Sequence, residues 1–296
     1  MPTNCWYICS PMSRLIDNIT SFLNANGFSC SHMEKSGIEA ICITLQDGRE
    51  RMILPLEITA ESEAEAERQA EERAMFIASC PDGYPMIVTE DRWHSQRECM
   101  EARILSHLEI FSPIYARNCE VRRIDKAVAK EFLEQNHSYG HAACRYCYGL
   151  YFKRHTGHIA ENASSAAQVM PGHLMAVATF SNARKWIKGD KTIRSYEWTR
   201  YASLPQVRLS GGMGRLLKAF IKEVQPDDIM SYADLEWSEG DVYGQLGFEL
   251  EGKKDPVLFA IEETWKRTPV KDGMSASKFF RNFGSNKYRL KLTDYE

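Results

Sequence analysis

The stretch from Leu209 to Val224 reads LSGGMGRLLKAFIKEV, which places three glycines directly before an amphipathic helix. Glycine adopts left-handed backbone conformations that other residues avoid, and it lets main-chain N–H groups approach a ligand closely. A helix that begins behind such a turn offers unpaired N–H donors and the positive end of its dipole. The stretch therefore predicts a tight strand-to-helix turn, which serves either packing alone or the binding of a phosphate.

Length and composition limit what can surround this turn. The chain has 296 residues, 44% hydrophobic and 26% charged, as in ordinary globular proteins of one or two domains. The N-terminal sequence MPTNCWYICSPMSR lacks a basic segment followed by an apolar one, so we expect no secretion signal. The nine scattered cysteines then indicate reduced thiols and a cytoplasmic protein. Because the net charge is −3, a nucleic-acid partner would need a local basic face.

The hydrophobic pattern predicts an α/β (α+β) chain in two parts. We expect residues 1–112 to form a small α/β domain and residues 113–296 to form a second domain. The second domain reads as strand, helix, three strands, glycine turn, helix, strand, short helix and strand. This order places the glycine turn between a strand and the central helix of a mixed sheet, with a V-shaped opening between the central strands.

The glycine turn resembles that of the acyl-CoA N-acyltransferase superfamily, the GNAT fold. In that family an Arg/Gln-x-x-Gly-x-Gly/Ala turn cradles the pyrophosphate of coenzyme A, and the sequence RLSGGMG at 208–214 fits it with one residue inserted after the arginine. The sequence VYGQLGFELEG resembles the family's second coenzyme-side element, in which a tyrosine on a short helix precedes a Gly-Phe pair. The resemblance implies an acetyl-CoA or other acyl-CoA cofactor, bound by Arg208, Ser210, Gly211, Gly212, Gly214 and Arg215.

A longer resemblance covers residues 85–260. Segments such as VATFSNAR, YEWTRYAS and SYADLEWSEGDVYGQLGF look like uncharacterised proteins of phages and mobile elements, some with homing-endonuclease-like domains ahead of a GNAT-like region. The arrangement is also similar to the phage Mom protein, a GNAT-fold enzyme that modifies adenine in DNA. The resemblance implies nucleic acid as the substrate.

The same resemblance implies a nuclease-like N-terminal domain, either degenerate or active. Its candidate metal-binding carboxylates are Asp47 and Glu57. Such sites often carry a lysine two residues after a glutamate, and Thr59 stands at that position here. We therefore expect a degenerate, DNA-recognising or structural copy.

Four residues are candidates for the chemistry itself. Asp234 ends a predicted strand and either accepts the proton shed by an attacking amine or caps the following turn. Tyr243 is implied by the resemblance as an acid near the thioester sulfur. Tyr232, with Trp237, flanks Asp234 and either stacks on a base or fills the core. Arg200 either needs a carboxylate partner, Glu197 or Asp234, or holds a phosphate or acyl carboxylate.

The sequence NHSYGHAACRYC carries zinc-capable residue types at His137, His141, Cys144 and Cys147. We predict no metal there, because a strand over CRYCYGLYF would direct the two cysteines to opposite faces. Asn136 and His137 end a predicted helix. They are interpreted as substrate-side polar groups or as a helix C-cap.

The C-terminal sequence SKFFRNFGSNKYRLKL interleaves basic and aromatic residues. Basic side chains contact phosphates and aromatic faces stack on unpaired bases, so this tail is either a nucleic-acid surface or an amphipathic element that closes the fold. Further basic residues could extend such a face: Arg117, Arg122, Arg123, Lys126 and Lys130. The functional hypotheses are thus acyl transfer to an amino group of nucleic acid, a non-catalytic DNA-binding module, and a metal-dependent nuclease.

Overall fold

The computed structural model describes residues 14–80, 84–111, 113–154, 169–205 and 207–295. The N-terminal segment in which no secretion signal was expected lies almost entirely outside these residues. The helices are α1 (Leu15–Ala25), α2 (Glu63–Ala78), α3 (Glu90–Ser95), α4 (Arg97–His107), α5 (Lys126–Asn136), α6 (Gly212–Val224) and α7 (Asp241–Gln245). The strands are β1 (Cys30–Lys35), β2 (Ile38–Thr44), β3 (Glu50–Leu56), β4 (Met86–Thr89), β5 (Pro113–Tyr115), β6 (Cys119–Arg123), β7 (Tyr146–Phe152), β8 (Leu174–Phe180), β9 (Arg184–Lys188), β10 (Lys191–Ser203), β11 (Arg208–Ser210), β12 (Asp228–Asp234), β13 (Glu249–Lys254), β14 (Leu258–Ile261), β15 (Arg267–Pro269), β16 (Lys278–Arg281) and β17 (Ser285–Lys291).

The chain divides into two compact units. The first unit comprises Met1–Arg97 with Leu258–Asn282, and the second comprises Glu98–Val257 with Phe283–Glu296. The domain boundary at residue 112 stays a prediction. Strands β14 to β16, which the sequence analysis assigned to the C-terminal domain, belong to the first of these compact units.

The first unit contains a four-stranded sheet in the order β1-β2-β3-β4 and a three-stranded sheet in the order β15-β14-β16. A hairpin around Gly48 joins β2 and β3, which pair antiparallel, and β4 runs parallel to β3. In the core of this unit Arg267 donates two hydrogen bonds, of 2.6 and 3.0 Å, to the buried carboxylate of Asp91. This charge pair links β15 to the start of α3.

The two carboxylates expected at a nuclease site both contact arginines. Glu57 Oε1 accepts a 2.9 Å hydrogen bond from Leu15 N at the start of α1 and lies 4.0 Å from Arg14, which also pairs with Glu39. Asp47 lies in the β2–β3 turn, where a hydrogen bond from the Arg49 side chain lowers its pKa. Among the residues that the structure describes, no group of three or more His, Cys, Asp or Glu could hold a metal ion.

The second unit is built on a mixed sheet in the order β13-β17-β12-β10-β8-β7-β6, with β9 attached to β10. Strands β10 and β12 are parallel, and their neighbours pair antiparallel. The predicted α/β class, with a mixed central sheet and the glycine turn before its central helix, is confirmed.

Helices α6 and α5 pack against strand residues of opposite parity. On the α6 side Phe220 stacks on Phe180 with ring centroids 3.9 Å apart, whereas on the α5 side Phe132 and Leu133 pack with Val177. Because Val177 and Phe180 are an odd number of residues apart on β8, they face opposite sides of the sheet. The sheet is therefore covered by a helix on each face.

The C-terminal sequence forms strands of both units and does not present an aromatic surface. Phe279, Phe280 and Tyr288 are buried, and their rings fill cores. Arg281 pairs with Glu67 at 2.6 Å, and Lys287 pairs with Glu251 at 2.7 Å. The amphipathic interpretation of this tail is correct, and the base-stacking interpretation is wrong because these rings are inside the fold.

A buried carboxylate fastens β17 to the centre of the second sheet. Asp228 is fully buried and accepts hydrogen bonds from Ser195 Oγ, from Arg289 Nη1 at 2.7 Å and from Tyr295 Oη at 2.7 Å. Burial, and then the hydrogen bond to Asp228, raises the pKa of Tyr295. A charge removed from water in this way is tolerated because every partner is present.

Two observations bear on the surroundings of the protein. None of the described helices is both long and apolar enough to cross a membrane. The cysteines in the described part of the chain are all free thiols.

Replacement of Asp228 by alanine is expected to lower the free energy of unfolding by about 3–5 kcal/mol, since Arg289 then loses its buried partner. Glu251 is the matched control, because it pairs with the same guanidinium at 2.7 Å but is 37% exposed. Glu251→Ala should cost less than about 1 kcal/mol. Urea unfolding of both variants provides the comparison, and equal losses would contradict the assigned role of Asp228.

Candidate functional site

The two parallel strands at the centre of the second sheet separate part-way along their length. Residues Ser195–Glu197 of β10 pair with Asp228–Met230 of β12, and the pairing ends there although both strands continue. A β-bulge interrupts the pairing of β10 with β8 between Trp198 and Arg200. A bulge bends its strand and increases the local twist. The end of main-chain pairing is the feature that an opening between the central strands requires, and its expected V shape stays a prediction.

Side chains satisfy the main chain where the strands separate. Trp198 O accepts a 3.0 Å hydrogen bond from Ser231 Oγ, and Thr199 O accepts a 2.8 Å hydrogen bond from Arg200 Nη1. Arg200 O accepts from the indole N–H of Trp198 at 3.1 Å. Since main-chain groups inside a protein need partners, these bonds stabilise the opening without closing it.

The glycine turn directly follows β11, a short strand that comes after β10 in the chain and pairs with β5. Gly211 has φ 76° and ψ 8°, a left-handed conformation that favours glycine. The first main-chain hydrogen bond of α6 runs from Arg215 N to Gly211 O at 3.1 Å. The amides of Gly212, Met213 and Gly214 therefore precede the helical ladder and lie at the positive end of the helix.

Gly212 has a packing role of its own. A Cβ atom at this position would lie 2.8 Å from Leu209 Cδ2 and 2.8 Å from Tyr201 Oη, closer than side-chain atoms pack. At Gly214 a Cβ would meet only Leu246 Cδ2, at 3.1 Å. The packing interpretation of the turn therefore holds at Gly212, and the ligand-binding interpretation stays a prediction.

The surface around the helix start is positively charged. Arg208, Ser210, Gly211 and Arg215 are exposed, and the first turn of α6 contains no acidic residue. Neither Arg208 nor Arg215 has an ion-pair partner among the residues that the structure describes. Two uncommitted guanidinium groups beside the amides of a helix start form a candidate anion site.

Tyr243 reaches the point at which β10 and β12 separate. Its hydroxyl lies 2.9 Å from Ser231 Oγ, which in turn donates to Trp198 O. Burial raises the pKa of Tyr243 above its ordinary value, against the opposing effect of the Ser231 hydrogen bond. The phenol therefore stays protonated at neutral pH. Ser231 was not identified from the sequence, where its signal is a small polar residue within the strand segment IMSYA.

Asp234 lies on β12 at an odd spacing from Ser231, so the two side chains face opposite sides of the sheet. Asp234 Oδ1 accepts a 3.0 Å hydrogen bond from Glu236 N, as expected for the turn-capping alternative. Of the flanking aromatics, Tyr232 has Lys254 Nζ 3.8 Å from its ring centroid, and Trp237 has the Arg103 guanidinium at 4.1 Å. The catalytic role of Asp234 and the base-stacking role of its neighbours stay predictions.

Arg200 does not form the expected bond to a carboxylate. Its Nε donates to Gly140 O at 3.1 Å and its Nη1 donates to Thr199 O, so main-chain carbonyls hold it in place. Burial lowers the pKa of Arg200, and the nearby charge of Glu197 opposes that effect. This arginine ties the loop after α5 to the bulged part of β10.

Asn136 and His137 make the contacts of a helix C-cap. Asn136 Nδ2 donates to Phe132 O at 2.8 Å, and His137 N donates to Leu133 O at 2.9 Å. The ring of His137 also accepts a 3.0 Å hydrogen bond from Tyr139 N. Contact with a substrate stays a prediction for both residues.

The prediction that Cys144 and Cys147 face apart is wrong. Strand β7 begins only at Tyr146, so Cys144 lies in the preceding loop and its sulfur is 3.5 Å from Cys147 Sγ. His141 Nε2 lies 3.9 Å from Cys144 Sγ. Burial raises the pKa of Cys147 to about 12. They do not belong to any group of three or more His, Cys, Asp or Glu side chains that could hold a metal ion in the described part of the chain.

Comparison with known proteins gave matches among solved structures only. No family model matches the chain, and no curated protein matches it. A variant of spermidine N-acetyltransferase SpeG from Vibrio cholerae matches with 13% identity and a TM-score of 0.36, over 60% of this chain and 96% of that one. The NatC complex bound to Gag peptide and coenzyme A matches with 13% identity and a TM-score of 0.35, over 60% of this chain and 99% of that one.

A third match is yncA, a putative acetyltransferase from Salmonella typhimurium solved with acetyl-CoA. It has 14% identity and a TM-score of 0.34, over 60% of this chain and 95% of that one.

Alanine substitution should show which of the two glycines, Gly212 or Gly214, is required for packing. Gly212→Ala is expected to lower the free energy of unfolding by about 1–3 kcal/mol, because the added methyl overpacks the contact with Leu209 and Tyr201. Gly214→Ala should change it by less than about 1 kcal/mol, since alanine favours the helix and Leu246 can move aside. Thermal or urea unfolding of the two variants measures the difference, and a larger loss for Gly214→Ala would contradict this assignment.

Proposed function

We propose that the second unit is an acyl-CoA-dependent N-acyltransferase of the GNAT type. The observation that carries the proposal lies at one place in the fold. Strand β10 separates from β12 there, and the glycine turn beyond β10 starts the central helix with amides that precede the helical ladder and with two exposed arginines beside them. A phosphate group fits the helix start, and the extended, amide-bearing arm of coenzyme A fits between separating strands. The resemblance of the glycine motif supports the same cofactor.

The residues present fit the diphosphate of coenzyme A. The amides of Gly212 and Gly214 supply donors, and Arg208 and Arg215 supply positive charge, with Ser210 as a further donor. The absence of an acidic residue from the first turn of α6 removes the repulsion that a carboxylate would bring to an anion. When bound, acyl-CoA supplies an activated thioester for transfer to an amine.

Tyr243 is the group best placed to assist the transfer. Its hydroxyl lies at the separation point of β10 and β12, is fixed by Ser231 and stays protonated at neutral pH. A protonated phenol there can donate to a departing thiolate. Asp234 is the proposed acceptor of the proton from the amine. Two features of Asp234 count against this role. Its Oδ1 accepts a hydrogen bond from Glu236 N, and its side chain faces the side of the sheet opposite to Ser231.

We propose nucleic acid as the acceptor, acted on by a cytoplasmic protein of phage or mobile-element origin. The support is the sequence resemblance over residues 85–260 and the free thiols of the described cysteines. The C-terminal tail gives this acceptor less support, because its Phe279, Phe280 and Tyr288 rings are buried. A different basic surface does so and is described in the next subsection.

A non-catalytic DNA-binding module is the second candidate. The residue inserted in the glycine motif and the hydrogen bond that Asp234 makes to the following turn both favour it. The nuclease alternative has weaker support. In the first unit Arg14 lies 4.0 Å from Glu57, so one of the two candidate metal carboxylates already has a guanidinium beside it.

Acetyl-CoA should raise the melting temperature of the purified protein. A ligand that binds only the folded state at 100 times its Kd adds about 2.7 kcal/mol, which corresponds to several degrees. The shift should disappear in the Arg208→Gln/Arg215→Gln variant and persist in Lys218→Gln/Lys222→Gln, a control with the same charge change on the exposed side of α6. Absence of a shift with acetyl-CoA, coenzyme A and ADP in the wild-type protein would favour the binding module.

Replacement of the catalytic candidates should affect turnover more than cofactor binding. Tyr243→Phe keeps the packed ring and removes the acid, so we expect a loss of at least about tenfold in kcat with the acetyl-CoA melting shift retained. Asp234→Asn tests the base in the same assay of acetyl transfer to DNA. Activity unchanged in Tyr243→Phe would exclude the phenol as the acid.

A further inference from the structure

The hairpin formed by β9 and the first residues of β10 extends beyond the strands that flank it. Residues 191–194 of β10 pair with β9, whereas pairing of β10 with β12 starts only at Ser195. All five side chains of β9 are exposed, including Ile187 at 77% and Trp186 at 37%. A strand exposed along its whole length is a projecting ribbon and contributes little to a core.

The hairpin carries a strong local positive charge. Between residues 184 and 194 there are five basic residues, Arg184, Lys185, Lys188, Lys191 and Arg194, against one acidic residue, Asp190. The whole chain, in contrast, has a net charge of −3. The sequence analysis did not assign this segment to any basic face.

The charges are arranged so that like charges face each other across the ribbon. Lys185 lies directly opposite Arg194, and Lys188 lies directly opposite Lys191. Like charges in directly opposed cross-strand positions destabilise a hairpin. An anion that bridges each pair would relieve this repulsion, so the arrangement favours a polyanionic ligand.

The two strands differ in how their cations are held. On β10, Arg194 pairs with Asp227 at 3.5 Å and Lys191 Nζ donates to Asp294 O at 2.8 Å. On β9, Arg184, Lys185 and Lys188 have no carboxylate partner among the residues that the structure describes. Strand β9 thus presents three available cations on a support that internal contacts fix in place. Lys185 lies on one face of the ribbon, and Arg184 and Lys188 lie on the other.

We propose that the β9–β10 hairpin binds duplex DNA through its phosphate backbone. A two-stranded ribbon fits the major groove, and Lys and Arg side chains beside the groove neutralise phosphates. Each face of β9 also carries one exposed apolar side chain. Trp186, held edge-on to Tyr295 with ring centroids 5.5 Å apart, lies on the face of Arg184 and Lys188, and Ile187 lies on the face of Lys185. This inference deepens the proposed function by naming the surface that holds the acceptor, and it rests on the proposed partner class but not on the transfer reaction.

The distance from the hairpin to the opening can be spanned by a short stretch of duplex DNA. Strand β10 runs continuously from Lys191 in the hairpin to Trp198 at the start of the opening. Seven residues of strand span roughly 23 Å. This distance corresponds to roughly seven base pairs of B-DNA. A duplex held at the hairpin can therefore extend to the opening between β10 and β12.

The test is a titration of a fluorescently labelled 20-base-pair duplex with the full-length protein between 50 and 200 mM NaCl. The ribbon variant is Arg184→Gln/Lys185→Gln/Lys188→Gln, and the matched control is Lys218→Gln/Lys222→Gln/Lys253→Gln, three exposed cations of the same unit with the same total charge change. Three lost phosphate contacts should reduce the slope of log K against log salt by about 2.7 and weaken binding at 100 mM at least about tenfold. The control should change the slope by less than about 1.

A single substitution provides a second test in case the triple ribbon variant does not fold. Lys188→Gln removes one like-charge pair from an exposed position and should reduce the slope by about 0.9 while leaving the melting temperature unchanged or higher. Three results would overturn the proposal: no binding of the duplex by the wild-type protein, equal slope changes in the ribbon and control variants, or competition by poly-glutamate as effective as that by unlabelled duplex.

A second measurement, the melting shift of the ribbon variant with acetyl-CoA, keeps the two proposals distinguishable. The ribbon variant should retain the full melting shift with acetyl-CoA, because its changes lie at the opposite end of β10 from the glycine turn. Duplex binding that depends on the hairpin, without any acyl-CoA shift, would sustain this inference and reject the acyltransferase.

Discussion

The candidate site depends on the parallel pairing of β10 with β12, which extends over only three residues of each strand. Up to that point the strands are held by main-chain bonds and by the buried carboxylate of Asp228, which joins Ser195 to Arg289 and Tyr295. Beyond it a bulge turns β10 away, and Ser231 replaces the ladder by donating to Trp198 O. The opening and the position of Tyr243 both follow from this short pairing.

The central helix completes the site because its start is exposed while its body is buried. Phe220 stacks on Phe180 and fixes the helix to the sheet, and Leu216 and Leu217 are buried beside it. Gly212 lets the turn approach Leu209 and Tyr201, and Gly211 supplies the left-handed conformation that starts the helix. Packing thus fixes the helix start, while Arg208 and Arg215 beside it stay exposed, where an anion can reach them.

Features set by local sequence were predictable. The turn at Gly211, the amphipathic helix behind it and the short helix carrying Tyr243 each depend on a few neighbouring residues, and the structure has all three. Strand β7 starts two residues later than predicted. Cys144 is therefore in the preceding loop, where its sulfur can contact that of Cys147, although the two were expected to face apart.

Features set by contacts between distant segments were not predictable. Asp228 follows another aspartate in a sequence that reads as a turn, and its partners Arg289 and Tyr295 lie 61 and 67 residues away. The aromatic residues of the C-terminal tail look available for base stacking until Phe279 and Phe280 are seen in the core of the first unit. Periodicity cannot distinguish a buried ring from an exposed one when the covering segment is remote in sequence.

The most direct test of the acyltransferase interpretation is the amide NMR spectrum of the ¹⁵N-labelled protein during titration with coenzyme A. The account predicts that the largest shift changes occur at the amides of Gly211 to Arg215, and that ADP, which shares the diphosphate, perturbs the same amides. Saturable changes centred elsewhere, or none at these amides at millimolar ligand, would contradict the assignment of the glycine turn as the diphosphate site.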